Sequence, residues 1–231
     1  MAERGGRIKK AFAMSLFWVF TSNVWAEGIY ILPDGTSLQD VKRVNGSLPT
    51  STLRILGMTL NVTKMTEATK VLGPAARLVS GDDPHDSEYV CLAAGDSSSV
   101  HLILADGSPE FASKELTAFT LSQGKPSYIK GSCTSSLKLN KSAMTDNGLH
   151  LGMTLSELIK KLGTPSKSTD DWAVYAFESY RDYTESERKS FPKAPGGGLY
   201  KGVYTYHDLA AHFADGKMDR LIVSVGGETS W

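Results

Sequence analysis

The sequence predicts an α+β fold of two tandem repeats, each a short helical segment packed on an antiparallel β-meander. Three ordered matches carry that expectation. Gly57-Met58-Thr59-Leu60 returns as Gly152-Met153-Thr154-Leu155, Leu72-Gly73 before Pro74 returns as Leu162-Gly163 before Thr164-Pro165, and Ala105-Asp106-Gly107 returns as Ala214-Asp215-Gly216. The order is kept while the offset drifts, as expected of one unit used twice with loops of different length.

The second copy is the plainer to read. Thr154-Leu155-Ser156-Glu157 is a capping box, in which the Thr154 hydroxyl accepts from the Glu157 amide and the Glu157 carboxylate returns the bond. Leu155, Leu158, Ile159 and Leu162 then follow at helical spacing with Lys160 and Lys161 opposite. Gly163 suits a C-terminal cap and Pro165 prevents continuation. In the first copy, Met65 to Gly73 aligns with Leu155 to Gly163. The Gly-Met-Thr element lies five residues further upstream there. Either the first helix is longer, or Leu53 to Leu60 is an extended lead-in.

After each helix the period becomes two, the signature of a half-buried strand. Copy one offers strands at Ala76 to Ser80, Glu88 to Ala93, Val100 to Leu104 and Leu116 to Leu121, with turns at Gly81-Asp82-Asp83-Pro84, Gly95-Asp96 and Asp106-Gly107. Copy two offers Lys167 to Thr169, Ala173 to Tyr180, Val203 to Phe213 and Arg220 to Val225, with Asp215-Gly216 turning the last hairpin.

Composition narrows the class. The chain has 231 residues, 41% hydrophobic, with 25 basic and 25 acidic side chains. It is therefore an ordinary globular sequence, and a zero net charge argues against a nucleic-acid binder. Residues 1–26 read as a signal peptide: Arg4, Arg7, Lys9 and Lys10 precede the apolar run Ala11 to Phe20, and Val24 and Ala26 stand at the peptidase positions. That apolar core is about half the roughly 20 residues a spanning helix needs, so no stable membrane insertion is expected after cleavage. The expected location is exported, periplasmic or secreted. In such a compartment a bridge between the two cysteines, Cys91 and Cys133, is the expectation. The rest divides into an N-terminal extension, 27–50; repeat 1, 51–123; a linker, 124–147; and repeat 2, 148–231, with an inserted loop at 181–201.

The Leu-Gly-Met-Thr segments at Ile55 to Thr59 and Leu149 to Thr154, with the helix ends Leu72 to Pro74 and Leu162 to Pro165, resemble the small outer-membrane-assembly lipoprotein domain (SmpA/BamE-like). In tandem the arrangement is similar to the β-lactamase inhibitory proteins. The meanders match only in pattern. The resemblance implies a binding protein rather than an enzyme, one that grips another protein with a sheet face. Two departures stand against carrying over any particular partner: the chain lacks a lipid-attachment cysteine, and its cysteines are not paired within each repeat of the sequence.

The two copies differ where function is expected. From Gly163 to Gly216 is 53 residues against 34 from Gly73 to Gly107, and the excess falls in 181–201. Of the 16 aromatic residues after position 26, 11 lie between Trp172 and Trp231, which concentrates Tyr and Trp anchors in copy two. Tyr175 and Phe177 share one face of a strand and Tyr180 the other, while Tyr204 and Tyr206 share a face of the next. One of these faces is core and the other open, and the sequence leaves the assignment undecided. The candidate partner-binding residues are Trp172, Tyr175, Phe177, Tyr180, Tyr183, Arg188, Tyr204, Tyr206 and His207. The plain alternative is that the rings fill the core and the sheet ends.

Catalytic signals are weaker. The histidines at 85, 101, 150, 207 and 212 belong to no nucleophile or zinc motif. His207 and His212 fall on opposite strand faces, which disfavours a shared metal. Asp82, Asp83, His85, Asp86 and Glu88 crowd one turn, where a solvated acidic loop is a simpler reading than a cation site. Neither cofactor nor metal is expected. The leading expectation is a non-catalytic protein-binding module of inhibitor, immunity or envelope-assembly type. The alternative is an envelope carbohydrate-binding domain or hydrolase that uses stacked aromatics.

Overall fold

The computed structural model describes residues 30–31, 37–38, 41–73, 76–79, 88–106, 115–190 and 197–230. The signal peptide 1–26, the acidic turn 81–86 and part of the inserted loop, 191–196, lie outside the described residues.

Strands β1 (Tyr30–Ile31) and β2 (Ser37–Leu38) form a two-stranded antiparallel pair. Then come β3 (Val44–Asn45), a small hairpin of β4 (Arg54–Ile55) and β5 (Met58–Thr59), and helix α1 (Met65–Leu72). Next are β6 (Ala76–Val79), β7 (Glu88–Ala94), β8 (Val100–Asp106), β9 (Leu116–Gln123) and β10 (Thr134–Ser136). The second half adds α2 (Leu155–Leu162), β11 (Lys167–Ser168), β12 (Trp172–Asp182), α3 (Glu185–Ser190), β13 (Gly202–Ala214) and β14 (Lys217–Ser230). Leu53 to Leu60 is therefore the extended lead-in, because the β4–β5 hairpin occupies it and α1 starts only at Met65.

The α+β repeat expectation is overturned by the assembly. The described residues are mainly β, and the helices among them have only 8, 8 and 6 residues. Ten strands form one continuous mixed sheet whose central path runs β7-β8-β9-β14-β13-β12. The two meanders meet where β9 pairs antiparallel with β14, Ala118 to Ser122 lying opposite Ser224 to Arg220. A helix-on-meander unit would close its own core. Instead one buried cluster extends from Leu92, Leu102 and Leu121 through Leu221 and Leu209 to Tyr175. Period-two alternation tells which face a residue takes and is silent about which strand lies beside it.

The two outer strands carry matching composite edges. Along β7 the outer side is taken by β6 antiparallel and by β10 parallel; along β12 it is taken by β11 antiparallel and by β3 parallel. The parallel pieces come from outside the meanders: β3, from the N-terminal extension, edges the second meander, and β10, from the segment 124–147, edges the first. Each is fastened. Cys133, just before β10, is bridged to Cys91 of β7, and Arg43, just before β3, holds Asp208 of β13 at 2.7 and 2.8 Å.

Both helices lie on one face of the sheet. From α1, Met65, Ala68 and Leu72 are buried; from α2, Leu158 is fully buried while Leu155 and Leu162 pack against the same cluster. Ile159, expected on that stripe, is 38% exposed instead. The α2 capping box forms as the sequence predicts: Glu157 N–H donates to the Thr154 hydroxyl at 3.2 Å, and Thr154 N–H to the Glu157 carboxylate at 2.7 Å. The Asp215-Gly216 turn has positive φ at both residues, 51° and 72°, as a tight hairpin of that twist requires.

Among the described residues no helix crosses the outer face. Two smaller clusters of described residues lie there, each under one of the segments that precede the parallel edge strands. Val41 covers Trp172, Val174, Ala176, Ala210 and Ile222, and Ile129 with Tyr128 covers Cys91 and Ile103.

The bridge closes a loop of sequence separation 42. Chain entropy alone gives such a closure about 4 kcal/mol of stability. Reduction, or the Cys91→Ala/Cys133→Ala pair, is expected to lower the denaturant midpoint accordingly, with the slope of the transition largely kept. A midpoint insensitive to reductant would show that β10 stays docked without its covalent tie.

Candidate protein-binding face

The nine sequence-predicted residues separate by strand parity. In β12 the odd positions face the helices and the even positions face outward. Tyr175 is completely buried, its O–H donating to Gly163 O at 2.9 Å, and burial pushes the phenol up to about 12. Phe177 packs against the same main cluster. His207, opposite Phe177 in register, accepts the Leu48 N–H at Nδ1 at 3.1 Å, and burial holds its pKa below the usual imidazole value. These three side chains belong to the core side.

Trp172 faces outward but is only 5% exposed, packed beneath Val41 with its ring edge-on to His212 at 4.8 Å. Tyr183 is buried where the inserted loop leaves β12, with the Arg181 guanidinium 5.6 Å from its ring centroid. Arg188 lies on α3, reaching Lys201 O at 3.4 Å and Asp182 at 3.9 Å. The described part of the loop is folded rather than slack. Thr184 and Glu187 cap α3, and Glu187 clamps Arg181 at 2.9 and 3.0 Å. Those bonds hold the Glu187 carboxyl down to about 2.

Tyr180, Tyr204 and Tyr206 remain, and the sheet brings them together on the open face. Tyr180 stands opposite Tyr204 in the β12–β13 register, with ring centroids 4.8 Å apart and planes inclined by 48°. Tyr204 and Tyr206 lie two apart on β13, nearly parallel at 8° with centroids 6.5 Å apart. Glycine makes the packing possible: a Cβ at Gly202 would stand 2.7 Å from Cζ of Tyr180. Tyr180 is 45% exposed and donates its O–H to Asp182 at 3.1 Å.

Sequence reasoning missed the charged side chains of this face. Arg43 stacks over Tyr206, 4.4 Å from the ring centroid, while its fork grips Asp208 and its Nη1 donates to Phe177 O at 3.1 Å. Nothing local to Arg43 signals this, because the contact depends on where β3 docks. Glu178, which stands opposite Tyr206, shares the parity of Tyr180 on β12 and could have been found that way; Glu228, which stands opposite Tyr204, lies past Val225, where the last strand was expected to end. Burial raises the Asp208 carboxyl above its usual range, with Arg43 pulling the other way. Burial and the Glu228 carboxylate push the Tyr206 phenol well above its ordinary value.

His207 and His212 fall on opposite faces, as alternation requires. His212 meets Asp219 at 2.5 Å, yet among the described residues no group of His, Cys, Asp and Glu is arranged to hold a metal ion. An open cleft of about 540 Å³, lined by Ser97 to Ser99, Lys141 and Lys217, lies at the opposite end of β14 from the tyrosines. No helix among the described residues is long and apolar enough to cross a membrane. Neither a family model, a curated protein nor a solved structure matches this chain.

The parity of the rings makes their truncations unequal. Tyr175→Ala is expected to cost about 3 to 5 kcal/mol of stability, as for other buried aromatics, and Tyr204→Ala about 1 or less. Denaturant titration of both variants checks the order, and equal costs would contradict the face assignment.

A second expectation concerns pH. A carboxyl whose folded-state pKa is raised favours folding at low pH and loses that contribution as pH rises through its folded value. Removing the guanidinium with Arg43→Met leaves Asp208 charged and unpaired at neutral pH, costing about 3 kcal/mol. That deficit is expected to shrink as pH falls through the carboxylate range and Asp208 becomes neutral. Stability curves of wild type and variant at several pH values test it; a deficit independent of pH would assign Arg43 a packing role only.

Proposed function

We propose that the protein is an exported, non-catalytic binding module that holds another protein on the outer face of its sheet, centred on Tyr180, Tyr204 and Tyr206. One observation carries the reading: three tyrosines form a contiguous cluster on a face that no helix among the described residues covers, beside the segment 41–45 that shields the rest of that half. Tyrosines with two χ angles and a polar tip are efficient interface anchors, because they bury large area with little entropy to lose. The Cys91–Cys133 bridge supports placement in an oxidising compartment. The sheet-face grip implied by the resemblance to inhibitory proteins points the same way, although the particular partner does not follow from it.

Capture from the native envelope or culture fluid, with cross-linking and identification of what is held, tests this. A Tyr180→Ala/Tyr204→Ala double variant that stays folded is expected to lose the captured protein by at least about 30-fold in affinity, the level of a binding hot spot. Retention of the same protein by the double variant, or binding to a glycan panel in place of any protein, would overturn the proposal.

A further inference from the structure

The charges around the tyrosines deepen this reading and rest on it. On the outer face the registers place Glu178, Tyr206 and Gly226 in one cross-strand row, and Tyr180, Tyr204 and Glu228 in the next. In the first row the Arg43 guanidinium lies 4.4 Å over the Tyr206 ring, while its fork pairs with Asp208, two residues further along β13. The second row offers a ring at Tyr204 and, at Glu228, an exposed carboxylate that also accepts the Tyr206 hydroxyl. Among the described residues, no lysine or arginine is placed over Tyr204 or Tyr180.

We propose that the partner protein supplies the missing cation, an arginine side chain that lies over Tyr204 against Tyr180 and pairs with Glu228. Charge complementarity selects it. The exposed carboxylate of Glu228 and the negative faces of the rings both attract a cation. Guanidinium is favoured over ammonium because it is planar, weakly hydrated, and able to stack on a ring while its fork meets a carboxylate. Arg43 does this one row away, bonding Asp208 with its fork and covering Tyr206 with its plane. Tyr180 and Glu228 are exposed, so the second row is open to an incoming side chain.

The test uses the whole mature protein and three blocked tripeptides, Gly-Arg-Gly, Gly-Lys-Gly and Gly-citrulline-Gly, followed through the tyrosine ring resonances by NMR. The arginine peptide is expected to shift Tyr204 and Tyr180, the lysine peptide to bind more weakly, and the uncharged citrulline peptide not to bind. Glu228→Gln, an exposed substitution that leaves the fold intact, is expected to weaken the arginine peptide about tenfold, and Tyr204→Phe to leave it nearly unchanged because the ring face is kept. No shift at millimolar arginine peptide, equal binding of citrulline, or full affinity in Glu228→Gln would each overturn the proposal. The same Glu228→Gln variant in the capture experiment separates the two readings. A partner lost with the Tyr180→Ala/Tyr204→Ala pair but retained with Glu228→Gln removes the arginine and leaves the binding face standing. A partner indifferent to the tyrosines removes both.

Discussion

The pairing of β9 with β14 is the constraint on which the rest of the structure depends. Five residues on each strand make the junction, with Leu121 opposite Leu221 and Phe119 opposite Val223, all facing the helices. Because side chains alternate strictly along a strand, this register decides at once which residues of both meanders share the main core. A slip of one position would turn Leu221 and Val223 outward and set Ile222 and Arg220 against the helices. The same register, carried across β14 and β13 to β12, places Tyr206 and Tyr204 on the outer face and Leu209 and Tyr175 inside. The aromatic face follows from how the two ribbons are joined.

Local structure was largely legible in the sequence. The capping box at Thr154, the glycine at the end of α2, the Asp-Gly hairpin and the eight strands of the two meanders all carry short-range chemical signals, and those elements form where the signals lie. The assembled class was not legible in the same way. Sheet continuity is a long-range fact, and alternation within a strand holds no information about neighbours. The apolar pattern of β9 would read the same in a separate unit as in a shared sheet. For the same reason β3 and β10, two and three residues long, passed as parts of an extension and a linker. Their pairing is parallel and distant, and their side chains give no periodic signal.

The binding face was half visible. Parity alone separated Tyr175 and Phe177 from Tyr180, and left only the choice of which set was buried. Trp172 resisted even that, because it faces away from the main core and is covered by Val41, from the N-terminal extension. Tyr183, at the start of the insert, is buried beside the Arg181 guanidinium, a contact that no strand pattern announces. Arg43 is the clearest miss. An arginine in a polar N-terminal stretch looks like solubilising surface. Here its side chain is only 16% exposed, fixed between a carboxylate, a carbonyl and a ring. Such a pair is costly to break from one side, because the partner left behind is charged and buried.

The docking of β3 on the second meander has a bearing on how this protein divides. Severing the gene within 124–147 would leave the second product without β3, and a cut ahead of Thr134 would also strip β10 from the first. Each would also bare the junction strand, β9 in one and β14 in the other, as an unsheltered edge of the sort that recruits other chains into aggregates. The indivisible piece is thus the full span from Val41 onward, and the internal likeness of its halves does not make either one a transplantable part.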